Sequence, residues 1–79
     1  MKYRPEQEIR IDNRNLYVID CANYNGKDYI YAQEIDTEED DLTMNYFVYE
    51  VGEHDSLVED QTILNSLLEI FFEKIREKI

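Results

Sequence analysis

The sequence predicts an α+β fold of two layers: an antiparallel four-stranded meander packed on one C-terminal amphipathic helix. Three observations carry that expectation. Aromatic and β-branched segments with two-residue periodicity fill the chain up to Gly52, an Asn25-Gly26 turn signal joins two of them, and three- and four-residue periodicity takes over from Leu64. The 79 residues fit one domain, 1–79, whose folding would remove roughly 60 to 65% of the unfolded chain's surface from water. With 43% hydrophobic residues and only three Gly plus Pro, the chain reads as a packed globule in spite of its 34% charge.

Residues 1–7 are expected as a flexible lead-in, because Pro5 lacks a ladder donor and chain ends fray. Glu8-Ile9-Arg10-Ile11-Asp12 then alternates strictly, the pattern of a half-buried strand. Asn13-Arg14-Asn15 is expected to turn the chain. Leu16 to Tyr24 and Asp28 to Ile35 are strands by their aromatic and β-branched content. Asn25-Gly26 between them suits a type I′ turn, which needs positive φ at both centres and matches the twist of its strands. Met44 to Val51 is the fourth strand, ended by Gly52.

In the last third, Leu64, Leu67, Leu68, Phe71, Phe72, Ile75 and Ile79 form one apolar stripe of a helix. Lys74, Arg76 and Lys78 in its last turns complement the negative end of its dipole. Ser56-x-x-Glu59 has capping-box spacing, but Asp60 is the preferred N-cap because Leu57-Val58 then completes an extended segment. Strand alternation separates Phe47, Tyr49 and Val51 from Met44, Tyr46 and Val48, and Tyr29, Tyr31 and Ile35 from Ile30 and Ala32. One helix covers one face. The other is therefore expected as an open, tyrosine-rich surface suited to a homodimer or partner contact.

The net charge of -11 is unevenly placed. From Asp28 to Glu73 there are fourteen Asp or Glu and no Lys or Arg. Such a field repels nucleic acid and anionic membranes, so no direct nucleic-acid or membrane partner is expected and any protein partner should be basic. The charged start (Met1-Lys2-Tyr3-Arg4-Pro5-Glu6) and the lack of a long apolar run lead to an expected soluble, cytoplasmic protein, in a bacterial or infected host cytosol. Cys21 is the single cysteine, which excludes an internal disulfide.

The densest acidic stretch holds Glu34, Asp36, Glu38, Glu39, Asp40 and Asp41. Asp36-x-Glu38-x-Asp40 resembles the start of a calcium loop, yet the sixth position is Asp41 where a sharp turn wants Gly, and the twelfth is Phe47 where a bidentate Glu belongs. A solvated turn also gives a catalytic carboxylate pair no burial to divide its roles. Two readings stay open: a charged loop that keeps the sheet soluble and blocks edge pairing, or a surface that mimics phosphates. Cys21, among apolar neighbours, reads as a small buried hydrophobe, and the lone His54 as a surface residue. No catalytic triad, phosphate loop or metal spacing is visible, so neither catalysis nor a cofactor or metal is expected.

From Leu16 onward, over about three quarters of the chain, the layout resembles the YrzB-like family, small acidic proteins of Gram-positive bacteria. The matching pieces are Val18-Ile19-Asp20, Tyr24-Asn25-Gly26-Lys27-Asp28-Tyr29-Ile30, the acidic run, Tyr46-Phe47-Val48-Tyr49, and Leu57-Val58-Glu59-Asp60 leading into the helix. The resemblance implies this fold order and supplies no site residue.

At class level, the small size, the long segment without a cation and the seven tyrosines are similar to phage-encoded inhibitors of host defence, anti-CRISPR proteins among them. The leading expectation is thus a non-enzymatic, acidic DNA mimic from a phage or mobile element that blocks the basic nucleic-acid-binding surface of an effector or nuclease. Its contacts would be Glu34, Asp36, Glu38, Glu39, Asp40, Asp41 and Glu50, joined by Glu53 and Asp55, around the anchors Tyr29, Tyr31, Tyr46 and Tyr49. The alternative is a cytosolic housekeeping protein of the YrzB-like family, a homodimer through its open sheet face, whose acidity serves solubility.

Overall fold

The computed structural model describes residues 1–78; Ile79, placed on the helix stripe by the sequence, lies outside the described residues. The elements run β1 (Glu8–Ile11), β2 (Arg14–Tyr24), β3 (Lys27–Asp36), β4 (Asp41–Val51), β5 (Ser56–Leu57) and α1 (Gln61–Glu77). All strands pair antiparallel in the order β1-β2-β3-β4-β5, and the sheet curls as a half-barrel. The α+β class and the C-terminal helix stand as expected, but the sheet has five strands instead of four. The fifth is short because Asp60 soon turns the chain into α1, accepting from the backbone N–H of Thr62 (2.9 Å) and Ile63 (3.1 Å) as its N-cap.

Two turns of the same kind set the register of the first three strands. Asn25 (φ 52°) and Gly26 (φ 79°) both lie in the left-handed region between Tyr24 and Lys27, as a type I′ turn requires. Asp12 (φ 49°) and Asn13 (φ 66°) repeat that geometry between Ile11 and Arg14. The first turn is therefore Asp12-Asn13, and Arg14 and Asn15, expected in the turn, already belong to β2.

A bulge decides how the sheet serves two cores. Val18 pairs with Ala32, but Asp20 pairs with Tyr31, so Ile19 is the extra residue and the alternation of β2 reverses there. Leu16 and Val18 consequently join Ile11, Ile30, Ala32 and Tyr49 on one face, whereas Ala22 joins Tyr29, Tyr31 and Val48 beneath Leu67 and Phe71 of the helix. Each fully buried Leu or Phe is worth roughly 1.5–3 kcal/mol. These helix residues are the two whose side chains α1 buries completely.

The face away from the helix is closed, which corrects the expectation of an open tyrosine-rich surface. Tyr49, Ile30, Ala32, Leu16 and Val18 are all 0% exposed. Curling brings Ile9 and Ile11 from one sheet edge and Leu57 from the other over this core, and Tyr3 from the N-terminal segment packs against it. That segment is tied down along its length. Glu6 N–H donates to Val18 O at 2.7 Å and Val18 N–H to Gln7 O at 2.8 Å, while Tyr3 O–H donates to Asp55 and Lys2 lies 3.1 Å from the same carboxylate. Among the described residues no helix is long and apolar enough to cross a membrane.

Candidate functional site

The acidic stretch forms the hairpin between β3 and β4. Asp36 pairs with Asp41 and Ile35 with Leu42 at its base, so two like charges sit directly opposite each other, an arrangement that costs stability. Backbone donors offset part of this: Asp36 accepts from the N–H of Glu38 (3.0 Å) and Glu39 (3.4 Å), and Asp41 from that of Leu42 (2.8 Å). Asp40 turns the chain at φ 52°, a conformation that Asp tolerates better than most residues. Glu34, further down β3, accepts from Asn45 Nδ2 at 3.0 Å. The six carboxylates thus divide. Glu34 and Asp36 are half-buried, while Glu38, Glu39 and Asp40 are exposed in the turn and Asp41 is exposed at the start of β4.

The lysine ion pairs of the described residues lie away from this hairpin. Lys2 pairs with Asp55 at 3.1 Å, Lys27 with Glu50 at 3.5 Å, and Lys78 and Lys74 with Asp20 at 3.2 and 3.8 Å. Among the described residues, none of the six hairpin carboxylates has such a partner. Nor do three or more metal-ligating side chains converge anywhere among them. Glu50 and Asp55, named from sequence with the hairpin, each carry a lysine partner within the fold. Burial pushes Asp55 up, but hydrogen bonds from Tyr3, Lys2 and the Gly52 N–H outweigh it and hold the carboxyl below its usual range. Glu53 and His54 are exposed in the same turn.

Next along β4 a second register shift, opposite Glu34, inserts extra residues at Thr43–Asn45. Gln33 Nε2 donates to Thr43 O (2.7 Å) and Thr43 Oγ1 to Glu34 O (2.9 Å), which fixes the bulge and leaves Met44 82% exposed. Beyond it lies an apolar groove of about 300 Å³ between β4, the β5–α1 connection and α1, lined by Tyr46, Val48, Val58, Leu64, Leu68 and Phe72. Tyr31 forms its floor, stacked on Tyr46 at 5.8 Å and Phe71 at 5.5 Å and edge-on to Phe72 at 5.9 Å. Asp41 and Tyr46 are five residues apart, so hairpin and groove lie within about 17 Å along one strand.

Of the four tyrosines named as anchors, the structure buries Tyr29, Tyr31 and Tyr49 and leaves Tyr46 43% exposed. The buried ones are core. Burial pushes the Tyr29 and Tyr31 phenols up, with Glu50 beside Tyr29 and Tyr46 beside Tyr31 adding to it. Cys21 is half-buried, and burial followed by the charge of Asp20 pushes its thiol up, away from reactive thiolates. Sequence reasoning missed Phe72 as a surface residue. The signal was present: seven apolar positions on one helix exceed what a narrow sheet contact can bury, and Phe72 stays 53% exposed.

No protein family, curated protein or solved structure matches this chain in the comparisons made.

Proposed function

We propose that the protein is an acidic, non-enzymatic interaction protein that occupies the basic nucleic-acid-binding surface of a partner, as phage- or mobile-element-encoded inhibitors of the anti-CRISPR kind do. One observation carries the reading: Glu38, Glu39, Asp40 and Asp41 stand exposed along the turn and start of β4 with no Lys or Arg paired to them among the described residues, while Glu50 and Asp55 each have one lysine and Asp20 has two. Uncompensated carboxylates repel one another. A fold that keeps four in a row, with Asp36 facing Asp41, bears a cost that a cationic partner relieves. Their density supports phosphate mimicry, since a nucleic-acid strand likewise presents closely spaced negative charges, one per about 3.4 Å. Steered association of this kind is fast and falls with ionic strength.

The test is affinity capture with mass spectrometry from the cells in which the chain is made, at low and moderate salt, using the protein and its Glu38→Gln, Glu39→Gln, Asp40→Asn, Asp41→Asn variant. The expected result is one basic nucleic-acid enzyme, released by salt, recovered poorly by the variant, and inhibited by the protein in its nucleic-acid binding. Equal recovery by the neutralised variant, with its fold intact, sinks the mimicry.

A further inference from the structure

The apolar groove beside β4 has the form of a peptide-docking site. Its backbone edge is open where the groove begins. Val48 O accepts the N–H of Val58 at 2.9 Å, so Val48 turns its peptide groups away from β3, and antiparallel alternation gives Tyr46 the same outward direction. Among the described residues no strand lies beside Tyr46, because β5 pairs only with Tyr49 and Glu50 and the chain then leaves for the helix at Asp60. Above this edge Leu64, Leu68 and Phe72 recur at four-residue spacing along the flank of α1, with Phe72 53% and Tyr46 43% exposed. Backbone pairing from an edge and pockets for alternate side chains are the two elements by which sheets capture extended peptides.

Charge identifies the occupant. Steps of about 100° per residue put Glu69 and Glu73 on the outer side of the Leu68–Phe72 stripe, with Arg76 the one cation there. Lys74 and Lys78 turn the opposite way, toward Asp20. Glu59 and Asp60 follow the lining residue Val58 in the chain and border the adjoining hollow with Tyr29 and Ile63, and the Glu38–Asp41 hairpin lies beyond the other end of the groove, along β4. A second copy would bring two such rims, and two chains of net charge -11, edge to edge. The geometry points to a docking groove for an extended segment of the partner protein, an apolar or aromatic core flanked by Lys or Arg, which pairs with the outward peptide groups at Tyr46, next to the point where Val58 already occupies Val48, and seats its core side chain against Phe72, Leu68 and Leu64. This inference rests on the acidic-interaction reading and names the second half of its contact surface. The carboxylates attract and orient the partner, and the groove supplies the desolvated centre that holds it.

Three nine-residue peptides titrated into the ¹⁵N-labelled chain at physiological salt test it: Ile-Phe-Ile between Thr-spaced paired lysines, the same with Ser-Ser-Ser as core, and the apolar core between paired glutamates. The first is expected to bind about tenfold or more tighter than either other, with shifts at Tyr46, Val48, Val58 and Leu64. Phe72→Ser, at an exposed position that leaves the core intact, is expected to weaken it by a similar factor. Equal binding of the two lysine peptides, with shifts confined to residues 36–41, overturns the groove and retains the electrostatic reading. Equal binding of the two apolar-core peptides overturns the choice of a basic occupant. No shifts with any peptide overturns the docking groove and withdraws support from the reading beneath it, and concentration-dependent groove shifts without peptide, with doubled mass in sedimentation, overturn it in favour of a second copy.

Discussion

Arg14 donates a hydrogen bond to the hydroxyl of Tyr49, 35 residues ahead, across 3.1 Å, and its guanidinium stacks 4.3 Å above the ring of Phe47. Tyr49 is fully buried, so its hydroxyl depends on that donor; the same bond raises the Arg14 guanidinium further above its already high range. Replacing Arg14 by Met is expected to lower the urea midpoint by stranding the hydroxyl. Tyr49→Phe in the Met background should recover part of the loss, because removing both partners is cheaper than orphaning one. Strictly additive effects across the four proteins would refute the dependence.

A second long-range contact holds the helix end. Asp20, 3% exposed beside the β2 bulge, lies 3.2 Å from Lys78 and 3.8 Å from Lys74, and its Oδ1 accepts the Cys21 N–H at 2.8 Å. Lys74 also donates to the Cys21 carbonyl. Changing both lysines to Met strands a buried carboxylate, which typically costs about 3–5 kcal/mol; half-exposed ammonium groups bring the expected loss to about 2–3 kcal/mol. Asp20→Asn keeps an acceptor for Cys21 and should cost less. Chemical denaturation of the two variants compares them, and a larger loss for Asp20→Asn contradicts this ordering.

Neighbouring phenylalanines should behave oppositely. Phe71 is 0% exposed against Tyr31 and Leu67, whereas Phe72 is 53% exposed on the groove. Phe71→Ala is expected to destabilise by about 3–5 kcal/mol and Phe72→Ala by about 1 kcal/mol or less. Thermal melts of both decide it. Comparable losses would mean that Phe72 is core and that the groove is filled by the fold itself.

How far these features could be read from sequence depends on their range. Asn25-Gly26 and the Asp60 cap were legible because a local backbone geometry demands those residue types within a few positions. The first turn was expected to start one residue and end two residues too late because Asn13 and Asn15 look alike as turn formers, and only pairing of Ile11 with Arg14 chooses between them. The closed face was hidden for a stronger reason. Nothing local in Leu16-Tyr17-Val18-Ile19-Asp20 announces that Ile19 is a bulge, and without that reversal the apolar residues of β2 cannot be divided between two cores. The acidic hairpin was legible as charge, but its isolation from all four lysine ion pairs appears only once the chain is folded.

The turn at Asp12-Asn13 carries its own test. With φ at 49° and 66°, both residues occupy a region where a Cβ-bearing side chain without an amide or carboxylate is strained. Asn13→Ala is expected to destabilise by about 1 kcal/mol, and Asn13→Gly to be neutral within about 0.5 kcal/mol, by urea denaturation. Equal losses for the two would show that the Asn13 side chain, which lies 3.4 Å from Arg10 Nη2, matters more than its backbone.

The N-terminal strap gives a pH dependence with two limbs. Burial, followed by the hydrogen bond to Asp55 and its negative charge, pushes the Tyr3 phenol up from 10.0 to about 12. A folded value raised above the unfolded one means stability that is complete below about pH 10 and lost as pH rises toward 12. Asp55 is held low, so its contribution is present above the unfolded carboxyl value of about 3.9 and is lost as pH falls through the folded value. Thermal midpoints of the chain and of Tyr3→Phe, measured from pH 2 to 12, separate these limbs from the rest. Tyr29 and Tyr31, also raised, keep an alkaline decline in both proteins. The difference between the two curves is expected to be constant from pH 5 to 9, to shrink above about pH 10 as Tyr3 ionises, and to shrink again below about pH 4 as Asp55 takes up its proton. A difference that stays flat to both extremes would mean that the Tyr3–Asp55 bond contributes nothing to holding the strap across the far face.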